Sequence, residues 1–254
     1  MSWQSAPHPV PLEEQELHVW RASLDAFPEA STLTAGLSAD EQQRAGRFRV
    51  PQVRSRFIAA RSILRNILGR YLECAPSQVR FHYREHGKPF LAPNSFRDDL
   101  RFNLSHSHGL ALYAVSRARE VGIDLERIRP DRDHERLAER FFSSREAAAL
   151  RDVSPEDRID AFFRCWTRKE AYLKARGEGL AIPLASFSVS LAPGEPAALV
   201  SVDGDDREAA RWWLSSIDPG PGFAAALAVE GAPSGLRLWD WQVRPFAPPA
   251  RPGS

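Results

Sequence analysis

Two acidic side chains lie two residues apart in a segment that has the alternation of a β-strand. In VGIDLE, residues 121–126, apolar residues alternate with Gly122, Asp124 and Glu126. Because alternate side chains of a strand share a face, both carboxylates would point the same way, and such a pair can chelate a hard cation such as Mg2+. The alternative is a solvated edge strand whose two acids have no chemical role.

A third acid, Glu170, is supplied by a predicted helix. Its apolar stripe consists of Ile159, Phe163, Trp166, Glu170 and Leu173, so Glu170 stands where an apolar residue is expected. A buried carboxylate is costly unless it is paired or bound to a metal. Lys174 lies one turn further along, so a structural Glu170–Lys174 pair is the alternative. That pair would not explain why the acid lies on the core side.

Two further segments carry polar residues that could contact a ligand. FNLSHS, residues 102–107, has the alternation of a strand and includes Ser105 and His106. The turn HGKP holds Lys88 between a glycine and a proline, which constrains the backbone. A histidine at the end of a strand and a lysine in a turn are also common features without any chemical role.

Arginine is concentrated in one part of an otherwise balanced chain. The formal net charge is +1, so no global field would attract nucleic acid. Residues 44–70, however, contain eight arginines and no acid. This segment is either a solvated helix face or a local phosphate-binding surface. The motifs GxSxG, GxxxxGK[ST], HExxH and GxGxxG are missing, which disfavours several other catalytic classes.

The composition is that of a globular protein, with 43% hydrophobic and 26% charged residues. No apolar run approaches the roughly 20 residues that span a bilayer, and the N-terminus lacks the basic and apolar regions of a secretory signal. Cys74 and Cys165 are too few for a disulfide framework or a zinc site, and both are expected to be buried. We therefore expect a cytoplasmic protein without a membrane or nucleic-acid partner.

Helices precede strands twice along the chain. After an irregular arm over residues 1–12 and a strand at 16–24, Ser38 and Glu41 form a capping box that begins a helix. Apolar spacing predicts a second helix over 53–72. Short strands are expected in the segments VRFHYR, LRFNLS, LALYAVS and EVGIDLE.

The second stretch is predicted to hold a helix at 143–150 and a long helix from Ser154 and Pro155 to about Arg176, ended by Gly177. Further strands are expected at 185–191, 197–203, 211–217, 222–229 and 236–242. This order predicts an α+β fold with two halves, residues 1–119 and 120–242, and a proline-rich tail at 243–254.

The segments GKP, FNLSHS, GIDLE and WTRKEAYLKARGEGL occur in an order and spacing that resembles the Sfp-type 4'-phosphopantetheinyl transferases, over roughly residues 40–195. The combination of GIDLE with WxxKEAxxKxxG carries most of the specificity. The resemblance implies two similar α+β halves related by a pseudo-twofold, an active site in the cleft between them, and a monomer.

The resemblance also implies roles for individual residues. Asp124, Glu126 and Glu170 would bind Mg2+, which would also contact the pyrophosphate of coenzyme A. The residues placed at the coenzyme A site are Arg44, Arg56, Lys88, Ser105, His106 and Lys174. Glu170 and Lys174 are the catalytic candidates.

The implied reaction is the Mg2+-dependent transfer of 4'-phosphopantetheine from coenzyme A to a serine of an apo acyl or peptidyl carrier protein, with release of 3',5'-ADP. The serine hydroxyl would attack the β-phosphate, and either Glu170 or a water on the metal would take its proton. Lys174 would stabilise the leaving phosphate. The carrier is expected to dock near residues 135–165.

Two other functions account for some of these features. A different Mg2+-dependent enzyme on the same fold would act on a nucleotide diphosphate and ignore carrier proteins. A non-enzymatic module would bind a partner through an apolar surface, but it would have no need of three converging carboxylates.

Overall fold

A computed structural model describes residues 2–7, 9–26, 36–93, 97–131 and 133–242. The helices are α1 (Ala39–Gly46), α2 (Pro51–Leu72), α3 (His134–Phe141), α4 (Ser144–Asp152), α5 (Arg158–Arg176) and α6 (Asp206–Ala210). The strands are β1 (Gln4–Ser5), β2 (Glu16–Ser23), β3 (Phe81–Tyr83), β4 (Pro89–Leu91), β5 (Leu100–Ser107), β6 (Leu110–Arg117), β7 (Val121–Arg127), β8 (Phe187–Val189), β9 (Leu199–Val202), β10 (Trp212–Ile217), β11 (Phe223–Glu230) and β12 (Gly235–Asp240). The predicted tail at 243–254 lies outside the described residues.

Local signals determine most of the helix ends. The predicted capping box of Ser38 and Glu41 begins α1, and Gly177, at a φ of 74°, ends α5. The predicted start of α5 at Ser154 and Pro155 is wrong, because the regular helix begins at Arg158. The Ser154 hydroxyl donates to the carboxylate of Asp157 at 3.1 Å, so it closes a turn ahead of the helix and does not cap it.

The main elements stack in four layers, a helix on each side of two sheets. In the five-stranded sheet, β1-β12-β2-β6-β5, one face packs on α2 through Trp20 and Leu64. Its other face packs on the three-stranded sheet, β10-β11-β7, through Leu112 and Ile123. The far face of that second sheet packs on α5 through Ala226. This arrangement buries an apolar surface on both faces of each sheet, and it is an α+β fold.

The last strand crosses from the second half of the chain into the sheet of the first half. β12 runs parallel to β2, with Leu238 opposite Val19, and β1 pairs with its other edge. The expectation of a wholly irregular arm over residues 1–12 is therefore wrong, because Gln4 and Ser5 cover the edge of β12. The division at residues 119 and 120 remains a prediction, and β12 shows that the two halves share a sheet.

Two expectations from composition concern the membrane and the cysteines. In the described ranges, no helix has the length and apolar character needed to cross a membrane. Cys74 and Cys165 are both buried and unpaired, as expected.

Candidate active site

Asp124 is the central acid of the site, and it is only 3% exposed on β7. Its Oδ1 accepts hydrogen bonds from Lys174 Nζ at 2.6 Å and from Ser105 Oγ at 3.0 Å. Lys174 Nζ also donates to Ser105 Oγ at 3.0 Å. These contacts join β5, β7 and α5 at one point. Asp124 Oδ2 is buried and has no hydrogen-bond partner among the described residues.

Glu170 does not pair with Lys174, so the structural alternative proposed from helical spacing is wrong. Lys174 reaches instead to Asp124, 50 residues away in the chain. The interpretation of Glu170 as a core residue is also wrong in part, because it is half-buried. Its side chain lines a cavity of about 270 Å³ beside Lys174. The apolar stripe of α5 therefore borders a cavity at this position.

The three acids influence each other's ionisation. Burial raises the pKa of Glu170, and the negative charge of Asp124 raises it further. The pKa of Glu126 is raised by the same two causes, in the same order. A cation beside these carboxylates would oppose both effects.

The carboxylate oxygens of these acids are suitable ligands for a hard cation, although the three acids do not surround a single point. No group of three His, Cys, Asp or Glu side chains is close enough to hold a metal ion in the part of the chain that the structure describes. The unpartnered Asp124 Oδ2 and the raised pKa values of Glu126 and Glu170 nevertheless leave negative charge that is not neutralised. Carboxylate oxygens with phosphate oxygens and water are the usual ligands of Mg2+.

A groove leads from Glu170 to the arginines of α1 and α2. The cavity at Glu170 shares three lining residues, Gly87, Pro89 and Leu104, with a second cavity of about 480 Å³. Five predicted coenzyme A residues line this groove: Arg44, Arg56 and His106 in the second cavity, and Lys88 and Lys174 in the first. The structure therefore brings Glu170 and five of the six predicted basic or polar residues to one surface, and Lys174 of that surface binds the buried Asp124.

The basic end of the groove is open to solvent. Arg56 forms a salt bridge to Asp25 at 2.6 Å, and the guanidinium of Arg44 lies 5.4 Å from the ring centre of Phe57. The pKa of His106 is lowered, first by partial loss of water and second by the charge of Lys174. A neutral His106 beside two arginines can donate to an anion without adding to the net charge.

Lys88 is held by protein groups. Its ammonium donates to Glu120 Oε2 at 3.0 Å and to the carbonyl oxygens of Val121 at 3.3 Å and Ala175 at 3.2 Å. Burial lowers the pKa of Lys88, and Glu120 opposes this shift. These contacts tie the HGKP turn to β7 and α5. A direct contact of Lys88 with coenzyme A remains a prediction.

Some of the eight arginines are structural, which neither interpretation of the run anticipated. Arg61 and Arg65 are buried and bind the two oxygens of Glu41 at 2.6 and 2.7 Å. Arg70 stacks over the ring of Trp241 at 4.6 Å. The counter-ion Glu41 precedes the run by three residues, so counting acids within the run missed it.

Three residues of the site were not singled out from the sequence. Gly122 packs so closely on α5 that a Cβ atom would overlap the backbone of Ala171 and Ala175. Asn103 and Ser107 of β5 accept hydrogen bonds from backbone amides of β7. The signals were present, since a glycine inside a strand indicates a close approach and Asn103, Ser105 and Ser107 alternate on one strand face.

Comparisons with known proteins show the family to which the chain belongs. Residues 120–228 match the profile of the 4'-phosphopantetheinyl transferase superfamily. Residues 18–118 match that of the N-terminal part of 4'-phosphopantetheinyl transferases. The first match includes β7 and α5, and the second includes α1, α2 and β5.

Two relatives cover most of the chain. The 4'-phosphopantetheinyl transferase HetI of Nostoc sp. is 45% identical over 242 residues, which are 94% of this chain and 98% of HetI. The 4'-phosphopantetheinyl transferase Sfp of Bacillus subtilis is 28% identical over 207 residues, 81% of this chain and 88% of Sfp. A solved structure, the holo-[acyl-carrier-protein] synthase of Thermotoga maritima, is 23% identical, with a TM-score of 0.33 over 44% of this chain and 63% of its own.

The chain belongs to the 4'-phosphopantetheinyl transferase superfamily. It is an enzyme of the class that moves the 4'-phosphopantetheine arm of coenzyme A to a serine of a carrier protein. The family resemblance seen in the segments GKP, FNLSHS, GIDLE and WTRKEAYLKARGEGL is thereby confirmed.

Proposed function

We propose that this chain modifies an apo acyl or peptidyl carrier protein in the groove between β5, β7, α5 and α2, with Mg2+ held by Asp124, Glu126 and Glu170. The observation that carries the proposal is the state of Asp124. One of its oxygens is bound by Lys174 and Ser105, and the other is buried without a partner. A carboxylate so placed is stabilised by a further positive charge.

The metal supplies one kind of chemistry when bound: it neutralises phosphate charge and polarises the pyrophosphate of coenzyme A. The side chains of the protein bind and orient the substrate and move the proton. Lys174 and Ser105 lie next to Asp124 and contact phosphate oxygens, and His106 donates from the neutral form that its lowered pKa favours. Arg44 and Arg56 hold the phosphate of the adenosine end at the open part of the groove.

The transfer itself forms one bond and breaks one bond. The oxygen of the carrier serine bonds to the β-phosphorus, and the bond between that phosphorus and the leaving 3',5'-ADP breaks. Glu170 takes the serine proton, because its carboxylate lines the cavity next to Lys174. The ammonium of Lys174 offsets the charge that develops on the leaving phosphate.

One experiment tests this function. The chain is incubated with an apo carrier, coenzyme A and Mg2+, and the carrier is weighed by mass spectrometry. We expect a phosphopantetheine adduct on a single serine, and no adduct when Mg2+ is removed by chelation. If carriers from peptide, polyketide and fatty-acid synthesis all stay unmodified, the proposal fails and an enzyme acting on a nucleotide diphosphate takes its place.

The remaining assignments from the sequence belong to the same proposal. We infer a monomeric, cytoplasmic enzyme that receives its carrier at residues 135–165. This range contains most of α3, all of α4 and the first part of α5, whose C-terminal part carries Glu170 and Lys174. Light scattering after gel filtration measures the mass in solution, and crosslinking to a bound carrier maps the docking surface.

A further inference from the structure

Two edge strands from different sheets lie side by side at the site. β5 ends the five-stranded sheet and β7 ends the three-stranded sheet, and their backbones are not paired with each other in the described structure. An edge strand leaves every second backbone amide without a partner inside its own sheet. A buried amide without a partner destabilises the folded state. The outward amides of β7, the strand that carries Asp124 and Glu126, therefore need acceptors.

Side chains of β5 accept two of these amides. Asn103 Oδ1 accepts from the amide of Ile123 at 2.9 Å, and Ser107 Oγ accepts from the amide of Arg127 at 3.1 Å. Both bonds join residues 20 apart in the chain. Two side chains four residues apart on β5 thus meet two amides four residues apart on β7. The side chains take the place of a neighbouring strand's carbonyl groups.

The same face of β5 also contacts the acids. Between Asn103 and Ser107, the hydroxyl of Ser105 donates to Asp124 Oδ1 at 3.0 Å. The hydroxyl of Ser107 donates to Glu126 Oε2 at 3.4 Å. We call Asn103, Ser105 and Ser107 the polar ladder. Asn103 and Ser107 bind the backbone of β7 on the two sides of Asp124. Ser105 and Ser107 bind the carboxylates of Asp124 and Glu126.

We propose that Asn103 and Ser107 are positioning residues of the transferase site. They set the register and tilt of β7 against β5, so that Asp124 and Glu126 face Lys174 and Glu170. This inference rests on the proposed function and assigns these two residues a role in it. They act through the acids of β7, and the partners that orient metal ligands commonly change metal affinity by about 10-fold to 100-fold when removed.

The variants that test the ladder remove an acceptor with little change in shape. Asn103→Leu keeps the approximate volume without the amide oxygen, and Ser107→Ala removes the hydroxyl. Ser107→Thr keeps a hydroxyl and should restore the wild-type behaviour. Two matched controls lie away from the site. Asn66→Leu removes an amide that donates to Ser62 O in α2, and Ser116→Ala removes a buried hydroxyl that donates to Arg119 O after β6.

The main measurement is the dissociation constant of Mg2+, obtained by calorimetric titration of the full chain with coenzyme A present and no carrier. We expect Asn103→Leu and Ser107→Ala to weaken Mg2+ binding by about 10-fold or more. Hydrogen exchange of the Ile123 and Arg127 amides, followed by NMR, should become faster in the corresponding variant. Ser107→Thr and both control variants should keep the wild-type affinity for Mg2+.

The opposite outcome is a lower melting temperature with unchanged Mg2+ affinity in both ladder variants. It would show that the ladder only satisfies buried amides, and it would overturn the inference. If Asn103→Leu does not fold, the pair Ser107→Ala and Ser107→Thr decides. A wild-type chain that binds no Mg2+ or modifies no carrier contradicts the proposed function itself. If the wild-type chain binds Mg2+ and modifies a carrier, but the ladder variants bind Mg2+ with wild-type affinity, only the inference about the ladder is contradicted.

Discussion

Lys174 of α5 donates to Asp124 Oδ1 of β7 at 2.6 Å, although Glu170 lies one helical turn away on its own helix. The lysine therefore links the helix that carries one acid to the strand that carries the other two. Asp124 is almost fully buried, and Lys174 keeps 29% of its side chain exposed. The charge of the lysine is thus available to a substrate in the groove, whereas Asp124 is fixed by its surroundings.

We expect Asp124→Ala to abolish transfer and to leave the fold intact. The substitution removes a buried charge with one unsatisfied oxygen, and the partly exposed Lys174 can turn to solvent. The loss in kcat/KM should be at least about 100-fold, the scale for an electrostatic group that acts at the reacting phosphate. Mass spectrometry of the carrier measures the rate, circular dichroism checks the fold, and the exposed Asp98 gives a control, Asp98→Ala. Near-normal turnover of Asp124→Ala in Mg2+ would refute the metal assignment.

Glu170→Gln should lose transfer and, without metal, be at least as stable as the wild type. Burial and Asp124 raise the pKa of Glu170 above its ordinary value of 4.5. Above about pH 4.5, therefore, the ionised carboxylate destabilises the folded state. The amide removes that penalty at neutral pH, and the advantage should vanish below about pH 4.5. A gain of 1 kcal/mol would raise Tm by about 2–4 °C in a chain of this size. A large fall in Tm would instead indicate a structural role for the acid.

The elements around the site could be predicted because short-range patterns determine them. Alternation placed Asp124 and Glu126 on one face of β7, and the capping box at Ser38 began α1 as expected. The groove could not be predicted by the same means. An apolar stripe on a helix indicates a face that is covered, but it does not distinguish a packed core from a cavity. The face of α5 that carries Glu170 was therefore predicted correctly, but this residue lines a cavity and does not lie in the packed core.

Contacts between distant segments account for the other differences. Helical spacing suggested Glu170 as the partner of Lys174, but the ammonium of Lys174 binds Asp124 on β7 instead. The crossing of β12 into the first sheet joins Leu238 to Val19, and no local pattern encodes a pairing over such a separation. The partner of Arg61 and Arg65 was missed because Glu41 belongs to a different helix.

Gly122→Ala should damage the site by separating β7 from α5. The added methyl group would overlap backbone atoms of Ala171 and Ala175, and a backbone cannot move aside as a flexible side chain can. Overpacking of this kind destabilises by about 1–3 kcal/mol, and the shift of α5 should also lower transfer. Urea unfolding and the carrier assay measure the two effects.

The matched control for this substitution is Gly46→Ala at the end of α1. A Cβ atom there would have nothing within 4 Å, and alanine favours a helix over glycine by about 1 kcal/mol. Gly46→Ala should therefore be neutral or stabilising. If Gly122→Ala matches this control in both stability and transfer, the close packing of β7 on α5 has no role.

Glu146→Ala, which breaks a buried ion pair, should lower the free energy of unfolding more than Glu135→Ala, which breaks an exposed one. Lys169 Nζ and Glu146 Oε2 lie 2.6 Å apart with no more than 1% of either side chain exposed, and Glu146 Oε1 also accepts from the amide of Val189. Loss of one partner of a buried pair costs about 3–5 kcal/mol. In the exposed pair Arg158–Glu135, Glu135→Ala should cost at most about 1 kcal/mol. Equal costs in urea unfolding would contradict the prediction.

His18 should make stability depend on pH between about 4 and 6.5. Its ring is 1% exposed, and burial lowers its pKa from 6.5 to about 4 despite the nearby Glu16. Trp20 Nε1 donates to the hydroxyl oxygen of Tyr71, and this hydroxyl lies 2.7 Å from His18 Nδ1. A neutral ring, which burial favours, can accept the hydroxyl proton of Tyr71 at Nδ1.

Between the two pKa values the unfolded chain binds a proton at His18 and the folded chain does not. Stability from this residue is therefore complete above about pH 6.5 and declines as the pH falls towards 4, by up to roughly 3 kcal/mol. Urea unfolding of the wild type and of His18→Asn from pH 4 to 7 measures the difference, which should narrow as the pH falls. His82→Asn, at an exposed position, should leave the pH dependence unchanged. Parallel curves for the wild type and His18→Asn would show that His18 does not stay neutral in the fold.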